Sequence, residues 1–151
     1  IAIDINDNRL AFAQKQKFAD FILNPQKNDI EKEIKAHTNG RGADGVIECA
    51  GGDNTFELAW KIARPHSVVA VVAMYEKDQI IPLPKMYGKN LIFKTGGVDA
   101  IHCKKLIDMI SEGKINTDFL ITSTFPLDDI QKAYELFKNK EANCLKIAIK
   151  K

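Results

Sequence analysis

The 151-residue sequence is poor in cysteine and has no paired cysteine motif. Cys49, Cys103 and Cys144 are odd in number, far apart and free of any Cys-x-x-Cys spacing. That argues against a disulfide framework or a structural zinc knuckle, and fits a reducing, cytoplasmic setting. Charge of one sign is also missing. Lys plus Arg is 22 against 20 for Asp plus Glu, a formal +2, which gives no reason to expect nucleic acid or an anionic membrane surface. No apolar run approaches the roughly 20 residues of a membrane helix, and the start carries no signal-peptide pattern. There is no Gly-x-Ser-x-Gly elbow, and no Cys is set against a His as a nucleophile requires. Of His37, His66 and His102, only the last has a neighbouring ligand type, Cys103. Side chains at i and i+1 on a helix do not converge on one ion, so His102 is expected to face solvent. A leading Met is absent too. The chain opens in mid-run at Ile1-Ala2-Ile3-Asp4-Ile5, and the expectation is a fragment of a longer protein.

What is present is the makings of one ordinary domain, 45% hydrophobic and 28% charged. Ile1 to Ile5 reads as a β-branched strand, and Asn6-Asp7-Asn8 supplies caps for a helix over Arg9 to Lys17. Phe21 to Leu23 is a short strand stopped by Asn24-Pro25. Asn28 or Asp29 caps a second helix with Ile30 and Ile34 on one face, ended by the Asn39–Gly42 turn. Val46 to Ala50 is a third strand, closed by Gly51-Gly52. Asp53 then opens a helix carrying Phe56, Ala59, Trp60 and Ala63, with Pro65 at its end. Val68 to Ala73 is an unbroken apolar run, expected to be a strand covered on both faces. Four such alternations predict a doubly wound parallel α/β sheet. Beyond Tyr75 come an extended Ile80–Pro84 stretch, a strand at Leu91 to Lys94 and Gly96-Gly97. Helices over Ala100–Ser111 and Leu127–Asn139 and a strand over Leu145–Ile149 complete the chain.

Asp4, an acid ending a strand just before a helix, suits a carboxylate that accepts hydrogen bonds from an adenosine ribose. The plain alternative is a cap or dipole partner of that helix. Gly51-Gly52 and Gly96-Gly97 would admit a ligand close to the backbone, yet glycines after strands are also ordinary turns. The Lys138–Lys140 run reads as a solvated helix end.

The segments Ile3-Asp4-Ile5-Asn6, Arg9-Leu10-Ala11, Ala19-Asp20-Phe21-Ile22-Leu23-Asn24-Pro25 and Gly40-Arg41-Gly42-Ala43-Asp44-Gly45-Val46-Ile47-Glu48 come in that order. Gly113-Lys114-Ile115, Leu120-Ile121-Thr122, Phe125-Pro126-Leu127-Asp128-Asp129-Ile130, Ala133-Tyr134-Glu135-Leu136-Phe137 and Leu145-Lys146-Ile147 follow. Together they resemble the zinc-type (medium-chain) alcohol dehydrogenase family over essentially the whole chain. The resemblance implies a Rossmann sheet of strand order 3-2-1-4-5-6 that here starts at the second strand. The first strand, its Gly-rich turn and the zinc-bearing catalytic domain would be missing, leaving open edges in the sheet. Residues 1–97 would be a partial NAD-binding domain, and residues 98–151 a C-terminal segment that packs back on the catalytic domain.

Matched position by position, the resemblance makes Asp4 the ribose-binding acid and Arg9 the basic residue beside that ribose. Cys49 and Ala50 match backbone lining the cofactor cleft, and Val72, Ala73 and Met74 the strand end at the nicotinamide carboxamide. Gly96, Gly97 and Val98 match the next nicotinamide-side loop, and Lys146 a basic position that reaches the pyrophosphate. Cys49 and Lys146 also read simply as a packed thiol and a surface charge. Five positions depart from the pattern: Phe18 for a Gly, His66-Ser67 for Gly-Gly, Ala73 for a Gly beside the nicotinamide, and Ser123 for a His. A lost Gly that needs φ > 0 costs on the order of 1 kcal/mol.

The implied function is that of an NAD-dependent alcohol or polyol dehydrogenase, with the fragment inactive by itself. NAD is the expected cofactor, with zinc in the intact enzyme held by ligands outside this chain. The expected partners are a small-molecule alcohol and further copies of the chain in a dimer or tetramer paired through the Leu91–Lys94 edge. No nucleic acid or membrane partner is expected. The other reading is a non-catalytic dinucleotide-binding or oligomerisation module of the same fold.

Overall fold

In the computed structural model, which describes residues 1–97, 100–139 and 144–151, the first strand is short. Strand β1 spans Ala2–Ile3, because Asn6 already caps helix α1 (Asp7–Lys15), its side chain accepting from the Asn8 and Arg9 N–H groups. Strand β2 (Ile22–Leu23) pairs parallel with β1. Asp29, not Asn28, caps helix α2 (Ile30–His37) by accepting from Lys32 N–H. Asn28 instead accepts from Asn24 N–H. Ile30 and Ile34, four residues apart, are both buried.

Strand β3 is Ala43–Glu48, helix α3 Thr55–Ile62 and strand β4 Ala63–Val71. Two expectations change here. Asn54, in the left-handed region at φ 63, stands at the start of α3 with no side-chain cap, so Asp53 does not open it. Pro65 does not end a helix, because β4 starts directly after Ile62. The pairing jumps from Ala43↔Ala63 to Gly45↔Val68, so residues 64–67 bulge out of the ladder. A bulge tolerates Pro65, whose missing N–H is not needed there.

Helix α4 (Leu83–Met86) takes up part of the stretch expected to be extended, and strand β5 (Ile92–Thr95) pairs parallel with β4. Two compact units result, Ile1–Val98 and Asp99–Lys151. In the first, the sheets run β1-β2 and β3-β4-β5. Leu23, Ile30, Ile34 and Ile62 pack with Ile3, Ala43 and Val46 in one core shared by both sheets. Strands β1 and β3 each have one paired neighbour, so each keeps an open edge among the described residues.

Helix α3 covers one face of the three-stranded sheet through Phe56, Ala59 and Trp60, packed on Val69, Val71 and Phe93. Truncating buried aromatics of this kind costs about 3–5 kcal/mol. The opposite face is different. Ile47 is 72% exposed, and Val68 and Ala70 are only half-buried. The double cover expected for Val68 to Ala73 is thus absent within this unit, since the helices that pack here lie on the α3 side. Lys89 closes the far end of α3: its ammonium donates to the carbonyls of Trp60, Lys61 and Ala63 at 2.8, 2.7 and 2.9 Å.

In the second unit, helix α5 (Cys103–Ser111) starts three residues later than expected, after His102, and none of its residues is buried. A short 3-10 turn at Asp118–Leu120 leads into strand β6 (Ile121–Pro126), which sequence reading missed. A further 3-10 turn (Leu127–Asp129), helix α6 (Ile130–Lys138) and strand β7 (Lys146–Lys150) follow, with β7 parallel to β6. Val98 of the Gly96–Val98 loop and Lys140 of the basic run lie outside the described residues. No described helix is long and apolar enough to cross a membrane.

Candidate functional site

Parallel pairing collects the C-terminal ends of strands on one edge of a sheet, which is where open α/β sheets bind ligands. Here Glu48 pairs with Val71, and Val71 with Thr95, so the ends of β3, β4 and β5 stand level. The residues that follow are those singled out from the sequence: Cys49 and Ala50 after β3, Val72, Ala73 and Met74 after β4, and Gly96 and Gly97 after β5. Cys49, Ala50, Gly96 and Gly97 are exposed. Val72 and Met74 expose 56% and 94% of their surface, an apolar lining at the strand ends.

The loops after β3 and β4 touch closely. Gly51 sits at φ 65, and a Cβ there would lie 2.6 Å from the Met74 carbonyl oxygen and 3.3 Å from Ala73 Cβ. Only glycine meets both demands. The Ala73 methyl therefore faces the neighbouring loop.

Asp4 follows β1 directly. Its Oδ1 accepts from Asn6 N–H at 2.8 Å, and Oδ2 lies 3.9 Å from the Arg9 guanidinium. Helix α1 is capped by Asn6, not by Asp4, so of the two plain readings of this acid the cap is excluded. The structure thus brings Asp4 together with Arg9, and Cys49 and Ala50 together with Val72 to Met74. Lys146 is exposed at the start of β7 in the second unit. His102 and Cys103 are both exposed. Among the described residues, no three His, Cys, Asp or Glu side chains converge as a metal site would need.

Two residues with structural influence on this face went unnoticed in the sequence. Asn24, 4% exposed, donates through Nδ2 to the Ile5 carbonyl and to Asp7 Oδ1, and its Oδ1 accepts from Gln26 N–H. It fixes the turn that carries Asp4 into α1, whereas Asn-Pro in sequence reads only as a strand stop. The second is Glu48, 5% exposed, whose Oε1 accepts from the N–H groups of Ala50 and Gly51 at 2.9 and 3.0 Å. Burial pushes its carboxyl pKa up. The Tyr75 hydroxyl, the Gly51 and Ala50 N–H groups and the Thr55 hydroxyl outweigh that, so Glu48 ionises below the usual glutamate range. Thr55 and Tyr75 hydroxyls lie 2.9 Å apart, and Thr55 also donates to the Gly52 carbonyl. Neither hydroxyl makes a hydrogen bond to Glu48 Oε2, which is buried without a partner among the described residues. A buried acid at a strand end, followed by Cys-Ala-Gly-Gly, was the available signal.

Comparison with known proteins adds the family. Residues 1–112 match the family model described as zinc-binding dehydrogenase. An alcohol dehydrogenase of Cupriavidus necator is 36% identical over 156 residues, covering 99% of this chain and 42% of that protein. An NADP-dependent isopropanol dehydrogenase of Thermoanaerobacter brockii is 29% identical over 141 residues, covering 89% of this chain and 40% of that protein. Among solved structures, zinc dependent alcohol dehydrogenase 2 from Streptococcus pneumonia superposes with a TM-score of 0.89 at 32% identity, over 99% of this chain and 44% of that one. The chain thus spans about two fifths of the length of the relatives it matches.

Proposed function

The chain belongs to the zinc-binding dehydrogenase family, and from that premise we propose that it supplies the coenzyme side of an NAD-dependent alcohol or polyol dehydrogenase. The observation that carries this reading is Asp4: a carboxylate at the end of β1, oriented by Asn6 N–H and released from helix capping by Asn6 itself. A dinucleotide fits the rest of the edge. The level strand ends after Glu48, Val71 and Thr95 offer exposed backbone for its polar groups, and Val72 and Met74 an apolar surface for a ring.

In this reading Asp4 accepts hydrogen bonds from both adenosine ribose hydroxyls, and Arg9 flanks them. Backbone at Cys49 and Ala50 lines the cleft, while Val72, Ala73 and Met74 orient the nicotinamide carboxamide together with Gly96 and Gly97. The bound dinucleotide supplies the hydride acceptor. The described residues offer no donor set for zinc, so no step of the reaction is assigned to a metal held by this chain. Residues 1–97 form the partial coenzyme domain and residues 98–151 the segment that packs on a catalytic domain. A further strand between the open edges of β1 and β3 would join the two sheets in the order 3-2-1-4-5-6. The protein is proposed to work in the cytoplasm as a dimer or tetramer paired through β5.

The relative from Thermoanaerobacter brockii is named for NADP, so the family alone does not choose the cofactor. Asp4 does. Like charges about 4 Å apart repel by about 1 kcal/mol in water and about 4 kcal/mol at an effective dielectric of 20. A 2′-phosphate opposite Asp4 therefore implies discrimination of roughly 10- to 1000-fold in favour of NAD. Titrating the full-length protein with NADH and NADPH tests the reading.

A further inference from the structure

The two loops that would face the nicotinamide are both tied to one residue. The Glu48 carbonyl accepts from the N–H groups of Val72 and Ala73 at 2.8 and 3.2 Å, which anchors the loop after β4. Its side-chain Oε1 accepts from Ala50 and Gly51 N–H, which anchors the loop after β3. Thr55, at the start of α3 just past the first loop, and Tyr75, in the second, are joined through their hydroxyls at 2.9 Å. Gly51 stands where the loops come closest, with no room for a Cβ against the Met74 carbonyl.

We infer that Glu48 is the positioning residue of the dinucleotide face, fixing the spacing of the 49–52 and 72–75 loops through its carboxylate and its carbonyl. The inference rests on the dinucleotide reading above. A fold-only explanation fits the position poorly. Burying a carboxylate is costly unless it is well hydrogen-bonded, and at the end of β3 an apolar residue would serve the packing alone. An ionised carboxylate is an acceptor with no hydrogen to donate. It can hold two successive N–H groups on one oxygen, and so keep the turn at Cys49 to Gly51 in one conformation before ligand arrives. Such preorganisation shows as affinity, because a loop already in its bound shape has less ordering left to do. Glu48 itself is buried and touches no ligand, so it acts through Ala50, Gly51, Val72 and Ala73.

The test is NADH binding by fluorescence titration in the full-length protein, with thermal melting measured alongside for Glu48→Ala, Glu48→Gln and Tyr75→Phe. Glu48→Ala should weaken NADH binding at least tenfold. Glu48→Gln keeps a carbonyl acceptor for Ala50 and Gly51 and should restore it to within about threefold of wild type. Tyr75→Phe, which leaves the carboxylate in place, should weaken binding two- to fivefold and keeps the test available if Glu48→Ala does not fold. Variants that melt earlier yet bind NADH within twofold of wild type would overturn the positioning role and leave the dinucleotide reading standing. A wild-type protein that binds no NADH would overturn that reading, and this inference with it.

Discussion

Replacing Lys89 by Met removes the cation that closes α3 and keeps most of the stem that packs beside Trp60. The ammonium lies 5.8 Å from the Trp60 ring centroid and donates to three carbonyls at 2.7–2.9 Å. Hydrogen bonds to a charged group are worth about 1.5–3 kcal/mol each, so three taken separately would sum to about 4.5–9 kcal/mol. That sum is too large. The three bonds share a single charge, and burial of the amine works against them, lowering its pKa in spite of the nearby Glu31 carboxylate. Adding the favourable charge at a helix C-terminus, about 0.3–1 kcal/mol, a net loss of about 2–4 kcal/mol is expected for Lys89→Met. The assay is equilibrium unfolding in urea followed by fluorescence of Trp60, the only tryptophan in the sequence. It is 4% exposed and next to the change. Lys32→Met is the control, since Lys32 is exposed and has no ion-pair partner among the described residues; it should shift stability by no more than about 0.5 kcal/mol. A Lys89→Met protein as stable as the Lys32→Met control would refute the capping role.

Three further outcomes are expected. His66, exposed and at φ 61, needs the left-handed conformation while its N–H donates to the Lys89 carbonyl, so His66→Gly should stabilise by about 1 kcal/mol in the same unfolding assay; a loss of stability would contradict the strain. Glu48 ionises more readily folded than unfolded, so its contribution is present above the ordinary glutamate value of 4.5 and is lost as pH falls through the lower folded value. The stability gap between wild type and Glu48→Gln should then narrow on acidification through that range, and a gap that stays constant would be evidence against it. The Phe93 ring packs on Phe56, centroids 5.6 Å apart, so a charge there would injure the core. Ile92, 53% exposed on the same edge strand, is the cleaner probe, and Ile92→Lys should lower the mass measured by light scattering if β5 joins subunits.

Periodicity revealed the helices because their apolar positions recur every three to four residues, as Ile30 and Ile34 or Phe56, Ala59 and Trp60 do. Strand β6 escaped because Ile-Thr-Ser-Thr-Phe-Pro is half polar and largely exposed, so no apolar run announces it. Pro65 misled for a different reason. Proline usually ends an element, but the bulge at residues 64–67 lets a strand begin before it. On the candidate site, Asp4 could be singled out as an acid ending a strand just before a helix, whereas Cys49, Ala50 and Val72 to Met74 came only from the family resemblance. Asn24 and Glu48 were not legible, since their importance lies in hydrogen bonds to backbone groups that only the folded loops bring near. The departure at His66 could be read as a cost in sequence, and the positive φ shows where that cost falls.

The central claim is that Asp4 makes this face a site for NAD, and its most direct measurement is the ratio of NADH to NADPH dissociation constants in the full-length protein and its Asp4→Gly variant. Wild type should bind NADH roughly 10- to 1000-fold more tightly, and Asp4→Gly should erase or invert that ratio, helped by the Arg9 guanidinium that now lies 3.9 Å from Asp4. Equal affinities in wild type, or a ratio untouched by Asp4→Gly, would contradict the account.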